Sequence, residues 1–453
     1  MTVERYDSLL EELIEALDAK DKNKLKELFD ELHSYDKAQF LMDLTPKQRE
    51  MFRHFSDEEL AEILEELDYE DQKVLIEELG FQRTAGILEE MSSDDAVDLL
   101  GELEEEEKLE IFQLMDDKEE IDIKKLMQYP EDTAGGLMTN EFITIPDTFT
   151  TEDTLKRIRK IAPDAETAYY IYVVDEKKNL RGVLSLRELI ISPPDTKVEE
   201  IMFERVVSVP AEMDQEEVAS IMEKYDFLAL PVVQENKVMG IITIDDVVDV
   251  LQDEASEDIY RLGGFSGSDQ DFKEASTSIF KSAQRRIPWL VLLLFLGLLA
   301  GNIIDQFEDT LESVAILAVF IPMIADMAGN TGTQSLAVVV RGLTLGEYEE
   351  EGVFPVIRRE AGAGIIIGIV NGLLISVIAT FWQGNPMLGV VIGLSLLITL
   401  FVATLSGTII PLIMNKLNID PAVASGPFIT TINDMIGLTI YFSIATYFME
   451  HLV

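Results

Sequence analysis

Two stretches, IPMIADMAGNTGTQS (321–335) and ASGPFITTINDMIG (424–437), each set an aspartate in the middle of an apolar run long enough to cross a bilayer. A carboxylate at that depth costs about 2.5–3.5 kcal/mol by insertion measurements. Asp326 and Asp434 therefore face protein or a water-filled path, and each is a candidate functional residue by default. Asp326, Asn330 and Gln334 are spaced i, i+4, i+8 and stack on one helix face. Pro322 is expected to loosen the helix and free a carbonyl, and Gly329 and Gly332 permit close backbone approach. Thr430 and Asp434 share a face in the second stretch, where Gly426 and Gly437 lie nearby and Pro427 is expected to free another carbonyl. Small and hydroxyl residues in membrane helices more often pack than ligate. Asn330 has the plain alternative of bonding a neighbouring helix, and Asp326 that of bracing the structure. Asp434 has no such plain reading.

Outward from these stretches, apolar runs at about 287–304, 312–338, 361–382, 387–413 and 423–448 predict five spans. From residue 287 onward there are 13 acidic and only four basic residues. The spacing puts all four bases in two loops: Arg341, Arg358 and Arg359 between spans two and three, and Lys416 between spans four and five. Lys281, Arg285 and Arg286 precede span one. With the N-terminus in the cytosol, every base is on the inner side and the C-terminus is outside. No base is placed to pair with Asp326 or Asp434.

The chain has 453 residues and a formal net charge of −49. The first 286 residues carry 72 acidic against 32 basic side chains, a net of −40. A nucleic-acid partner needs a basic footprint and is excluded; divalent cations are the natural counter-charge, although acidic surfaces are often merely solvating. There is no cysteine, and the three histidines, His33, His54 and His451, lie far apart. That removes thiolate chemistry and soft-metal ligation, and leaves oxygen donors suited to magnesium, calcium or manganese. MTVERYDSLLEELIEAL at the N-terminus has no apolar core of a secretory signal and reads as a cytosolic helix.

Residues 1–128 read as an acidic domain of short amphipathic helices. Leu9, Leu10, Leu13, Ile14 and Leu17 recur at helical spacing, and Thr45-Pro46, Ser56-Asp57 and Ser92-Ser93-Asp94 are expected helix starts. DEELAEILEEL and DDAVDLLGEL share a weak repeat that fits stacked helix pairs. Residues 129–256 alternate β-rich runs with helical ones: FITI (142–145), AYYIYVV (168–174), GVLSL (182–186), VVSV (206–209), LALPVV (228–233) and MGIITI (239–244). The segment repeats itself. Leu137-Met138 precedes FITIP as Ile201-Met202 precedes VVSVP, and the strand–helix run 182–189 matches 240–247. This duplicated order resembles a pair of CBS domains. Residues 257–286 read as a linker broken at Gly263, Gly264 and Gly267, then an amphipathic connecting helix, DFKEASTSIFKSAQRR (271–286), that runs into the membrane domain, 287–453.

Taken whole, the chain resembles the MgtE family of magnesium transporters. The most specific pieces are YPEDTAGGLMT (129–139), PMIADMAGNTGTQS (322–335) and DPAVASGPFITTINDMIG (420–437). The resemblance implies a homodimeric, magnesium-selective channel with its pore at the dimer interface, set among the lipids of the cell's inner (plasma) membrane. It implies that Asp434 holds the hydrated ion, with Asn330 and Thr430 as neighbours and Asp420 near the cytosolic mouth. Glu62, Asp94 and Asp98 resemble N-domain acids that share regulatory magnesium ions with the CBS layer. Asp214, Glu216, Asp226, Asp246, Asp249, Glu254, Glu257 and Asp258 resemble their partners. It also implies ATP at the CBS domains, with Tyr170, Arg187 and Phe227 as the contacts.

The physics points the same way. Magnesium dehydrates reluctantly, so a path that binds it through outer-sphere oxygens avoids stripping its shell. One carboxylate per subunit of a two-fold dimer puts two negative charges on the axis. Acids on facing domains repel when divalent ions are scarce and are bridged when they are plentiful; any single acid is weak and screened, but many together shift a gate. The expected gating is closure at high internal magnesium as the cytosolic dimer compacts and draws the 271–286 helix under the pore. A coupled divalent-cation transporter or exporter, using Asp326 or Asp434 as a proton or sodium site, stays open at this stage, as does a membrane sensor that transports nothing. An enzyme is the poorest fit, since there is no cysteine nucleophile, no phosphate loop and no Ser/His/Asp grouping that the three scattered histidines could complete.

Overall fold

The computed structural model describes residues 3–162, 165–265, 279–344, 346, 348, 352–417 and 419–452. The chain divides into two compact units, 1–251 and 252–453.

The first unit begins with short helices from Val3–Ala19 to Asp117–Leu126, most of them amphipathic and packed inward on leucine and other apolar side chains. Leu9, Leu13 and Leu17 are buried, and Phe29, Phe40, Phe52 and Phe55 form one aromatic cluster with ring centroids 4.9–6.3 Å apart. Two of the expected helix starts are capping boxes, Thr45 with Gln48 and Ser56 with Glu59. The third is not. Ser92 makes no side-chain cap; its amide donates to Glu65 at 2.7 Å, and the Ser93 hydroxyl instead meets Thr139 at 3.2 Å. A tertiary contact has taken the group that local sequence assigned to a cap.

Among the described residues six strands follow: β1 (Thr144–Pro146), β2 (Tyr170–Val174), β3 (Leu180–Ser185), β4 (Val209–Pro210), β5 (Ala229–Gln234) and β6 (Lys237–Thr243). They form two three-stranded sheets of the same design, in which the first strand is parallel to the second and the second antiparallel to the third. The two copies exchange ends. A Cβ on Gly182 of the first copy would lie 2.7 Å from Met202 Sδ of the second, and one on Gly240 of the second 2.8 Å from Met138 Cγ of the first. The isolated bridges Val183–Phe203 and Thr139–Ile241 reinforce the exchange. The repeated methionine and the repeated glycine are thus two halves of one contact, made twice.

The helix Ile244–Leu262 runs past residue 257, where the linker was expected to begin, and Gly264 then takes the left-handed conformation (φ 78°) that favours glycine. Residues 271–278 of the expected connecting helix lie outside the described residues; 279–286 are the first turns of span one.

Among the described residues, five helices are long and apolar enough to cross a membrane: Ile279–Gln306, Ala315–Thr344, Val353–Gln383, Pro386–Lys416 and Gly426–Tyr447. They extend beyond the expected apolar runs. Arg341, Arg358 and Arg359 therefore sit on helices rather than in a loop, and Lys416 is the last residue of its helix. Pro322 does not loosen the middle of span two. It lies at the start of the α-helix Ile321–Thr344, just after a 3₁₀ turn, Ala315–Phe320. Pro427 likewise opens span five. A missing N–H is harmless in a first turn, so neither proline frees a mid-membrane carbonyl. Spans three and four pack on glycine: a Cβ on Gly368 would lie 2.7 Å from Leu397 O, one on Gly372 2.6 Å from Gly393 O, and one on Gly364 2.9 Å from Thr404. Span four is the most buried of the five.

Candidate cation pathway and acidic crevice

Span two seats on span five through two glycines. A Cβ on Gly329 would lie 2.6 Å from Thr430 Cγ2, and one on Gly332 1.9 Å from Asn433 Nδ2. One turn on, Gly437 lies against span four, where a Cβ would meet Thr399 at 2.9 Å. Thr430, Asn433 and Gly437 form a seam at i, i+3, i+7. Asp434 projects about 100° around the helix from Asn433, and its side chain is only partly covered. One of its oxygens is sealed from solvent and has no hydrogen-bond partner.

Asp326 lies near enough for the two carboxylates to interact electrostatically. It is exposed, as are Pro322, Asn330, Gln334 and Arg341 along the same side of span two, and the Asn330 carbonyl accepts from Thr333 Oγ1 at 3.0 Å. Hydrocarbon cannot solvate such a stripe. Water or another protein surface covers it.

Asp420 lies at the turn before span five. Its carboxylate accepts from the Ala422 amide at 2.7 Å and pairs with Arg261, which also pairs with Glu257. The neighbouring Asp258 accepts from Thr344 Oγ1 at 3.1 Å. Desolvation raises the Asp258 carboxyl above the usual range. Leu262 packs in the same junction against Leu336, Val340, Ala422 and Ile429. The half-buried Glu254 stands one turn earlier on the helix. Nothing in the sequence pattern singled out Arg261 as the counter-charge of Asp420.

In the first unit, the helix Ser93–Glu102 points Asp94, Asp95 and Asp98 at Asp246, which opens the helix after β6 and accepts from Thr243 Oγ1 at 2.5 Å. Glu65, Glu141 and Glu166 border the same crevice. Loss of solvation, then mutual repulsion, pushes Asp95 up to about 8 and Asp98 to about 7. Glu141 rises to about 7 from desolvation and the nearby Glu166. Asp246 rises to about 6, from desolvation partly offset by the Thr243 hydroxyl. Asp94 goes well above the ordinary range, and its Oδ1 is sealed and unpartnered. Asp98 keeps a solvent-exposed face, so the crevice is wet at its rim. Asp249 faces Glu66 nearby. Hard oxygen donors without bases suit a divalent cation, yet among the described residues no three such side chains converge closely enough to hold one.

The other candidate residues lie apart from this crevice. Glu62 is exposed and paired with Lys37 at 3.3 Å. Asp214 caps the helix Gln215–Tyr225, accepting from the Glu216 amide at 2.9 Å, and Glu216 itself is exposed. Asp226 ends that helix in the left-handed conformation. Tyr170 packs beside Tyr172, Ala229 and Ile241; Arg187 is exposed on the next helix; Phe227 stacks on Tyr225 at 5.4 Å. A crevice of about 800 Å³ bordered by Phe142, Arg157, Lys178 and Lys237 contains none of the three. Sequence reasoning missed Asp95, Glu65, Glu141 and Glu166, which only the packing of helices on sheets brings together, and Asn433, which reads as an ordinary small polar residue.

Family models match a divalent cation transporter domain, MgtE, over residues 321–444, the MgtE intracellular N domain over 32–132, and CBS domains over 134–193 and 198–253. This chain belongs to the MgtE family of divalent cation transporters. It is 44% identical to the magnesium transporter MgtE of Enterococcus faecalis (strain ATCC 700802 / V583), over 97% of each chain. It is 50% identical to that of Bacillus subtilis (strain 168), over 72% of this chain and 71% of the relative. Among solved structures, the cytosolic domain of the Mg2+ channel MgtE in complex with ATP is 42% identical, with a TM-score of 0.50; the match covers 53% of this chain and 99% of that one. The family and the five spans make this a multi-pass membrane protein, and its relatives are transporters rather than enzymes.

Proposed function

We propose that two copies of this chain form a pore for Mg2+ along the polar side of span two and the Asp434 face of span five. Ions enter the cytosol through it, and Mg2+ at the acidic crevice closes it. Asp434 carries this reading: a membrane carboxylate with a sealed, unpartnered oxygen, beside an exposed stripe of Asp326, Asn330 and Gln334. A second copy placed on that stripe would hide it from lipid and set two such carboxylates face to face. Together they would hold a hydrated divalent ion without trapping it. The relatives named as magnesium transporters support Mg2+ as the ion carried.

For gating, Asp94, Asp95, Asp98 and Asp246 would hold the regulatory Mg2+, which supplies the positive charge the crevice lacks. Ion binding draws the N-terminal helices and the CBS pair together, and several weak sites sum to a shift of several kcal/mol. One continuous helix carries Asp246 near its start and Arg261 near its end. It offers a covalent route from the crevice to the Asp420 turn. The relative solved with ATP supports a nucleotide at Tyr170, Arg187 and Phe227 as a second input. The clustering of bases at the ends of the spans supports an orientation with the N-terminus inside and the C-terminus outside, and the family supports the plasma membrane as its place.

The test is Mg2+ flux in proteoliposomes with internal Mg2+ varied. We expect flux that follows the magnesium gradient and voltage alone, falls at millimolar internal Mg2+, and disappears in Asp434→Ala. Uptake retained in that variant overturns the pore assignment. Flux that requires a proton or sodium gradient replaces the channel with a coupled transporter.

A further inference from the structure

Asp434 owes its aim to the residue before it. Asn433 is 1% exposed in the middle of span five, and its side chain touches two other spans at once. Its amide nitrogen lies against Gly332 of span two, where a Cβ would come within 1.9 Å, and no hydrogen-bond partner reaches it. Its amide oxygen accepts from the Ser406 hydroxyl of span four, which also reaches the Ala403 carbonyl at 3.1 Å. Directly beneath, a Cβ on Gly407 of span four would lie 2.2 Å from the Gly332 carbonyl. Three helices therefore meet at one point, with backbones close enough that only glycine fits on two of them, and the third contributes a polar amide. A buried amide at bilayer depth is costly unless it is bonded, so the Ser406 contact favours one rotation of span five over its neighbours. A turn of the helix by one residue would carry Asp434 into the Gly332 seam, where there is no room for it.

We propose that Asn433, locked between Gly332 and Ser406, is the positioning residue that holds Asp434 toward the polar stripe of span two. This rests on the reading of Asp434 as the pore carboxylate. Asn433 does not touch the ion. It acts by fixing the azimuth of the helix, and so the distance between the two carboxylates of a dimer and the size of hydrated ion they accept.

The experiment compares wild type, Asn433→Leu, Asn433→Ser and Asp434→Ala, each full length in proteoliposomes and checked for folding by thermal melting and gel filtration. The readouts are the Mg2+ concentration for half-maximal flux and the ratio of Mg2+ to Ca2+ flux. A positioning role predicts that Asn433→Leu raises the half-maximal concentration by about tenfold and lowers the flux ratio, since displacements of about 0.5 Å already degrade a site. Asn433→Ser keeps a partner for Ser406 and restores most of both. Asn433→Leu with a reduced maximal rate but wild-type half-saturation and flux ratio means a purely structural residue and overturns the proposal. So does Asn433→Ser behaving like Asn433→Leu. Flux surviving in Asp434→Ala overturns the pore reading itself, and the positioning role with it. If the leucine variant does not fold, the serine variant and Ser406→Ala decide by the same two readouts, both unchanged counting against the proposal.

Discussion

The membrane unit and the N-terminal unit each gather carboxylates that no base among the described residues neutralises, but on opposite plans. Around Asp434 the charge is sparse: two acids, one of them lining an exposed stripe, in a setting of glycine, threonine and amide. In the crevice it is dense: Asp94, Asp95, Asp98, Asp246, Glu141 and Glu166 crowd together, and desolvation, then mutual repulsion, raises their carboxyls. A conduit needs an attraction weak enough to release its ion. A sensor gains from many coupled charges, because each ion bound makes the next contact less repulsive. A third arrangement, Arg261 between Asp420 and Glu257, shows the same residue type partly compensated, one cation shared by two acids.

Several experiments bear on this contrast. The sparse site should fail at a single lesion: Asp434→Asn keeps the shape, removes the charge, and should lower Mg2+ flux by at least about 100-fold, whereas Asp98→Asn in the crevice changes flux at low Mg2+ by less than about twofold. Comparable losses from both would erase the distinction. The dense site should fail only collectively. Asp94→Asn, Asp95→Asn and Asp246→Asn together are expected to raise the internal Mg2+ that closes the pore by about tenfold, read by patch recording.

Acidity gives a finer test. Carboxyls raised in the folded state bind protons that the unfolded chain has released above about pH 4, so between that pH and about 8, the value for Asp95, stability falls as pH rises. The melting temperature of the metal-free protein should therefore drop from pH 5 to pH 8, and millimolar Mg2+ should flatten the slope. A metal-free protein that melts higher at pH 8 would contradict the crevice as described. The smallest effect should come from the trio around Arg261. Arg261→Gln removes a partly exposed cation and should cost about 0.5–1 kcal/mol by denaturation, leaving ion selectivity untouched.

The five spans and the duplicated β segment were legible because hydropathy and repetition are properties of the chain itself. Helix ends were less so. Arg341, Arg358 and Arg359 looked like loop residues because polarity was read as the end of a helix, when the helices continue past the apolar section. Pro322 and Pro427 were read as freeing carbonyls within their helices, although each begins a helix, where its missing donor is not needed. Asp434 was visible as an anomaly in an apolar run. The partners of Asp94 were only partly visible, because Glu141 and Glu166 come from loops around β1 and β2 whose place depends on the fold. Asn433 was invisible for a different reason. Its importance lies in what it displaces on spans two and four, and no local pattern records that.

The methionine–glycine exchange between the paired sheets has a consequence for ancestry. Each copy is finished by a side chain that the other copy supplies, so removing either would leave its sibling with an open notch and an unsheltered strand. Such a tandem is one unit for mutation: a change at Gly182 has to be answered at Met202, 20 residues on, and one at Gly240 at Met138, 102 residues back, across the seam.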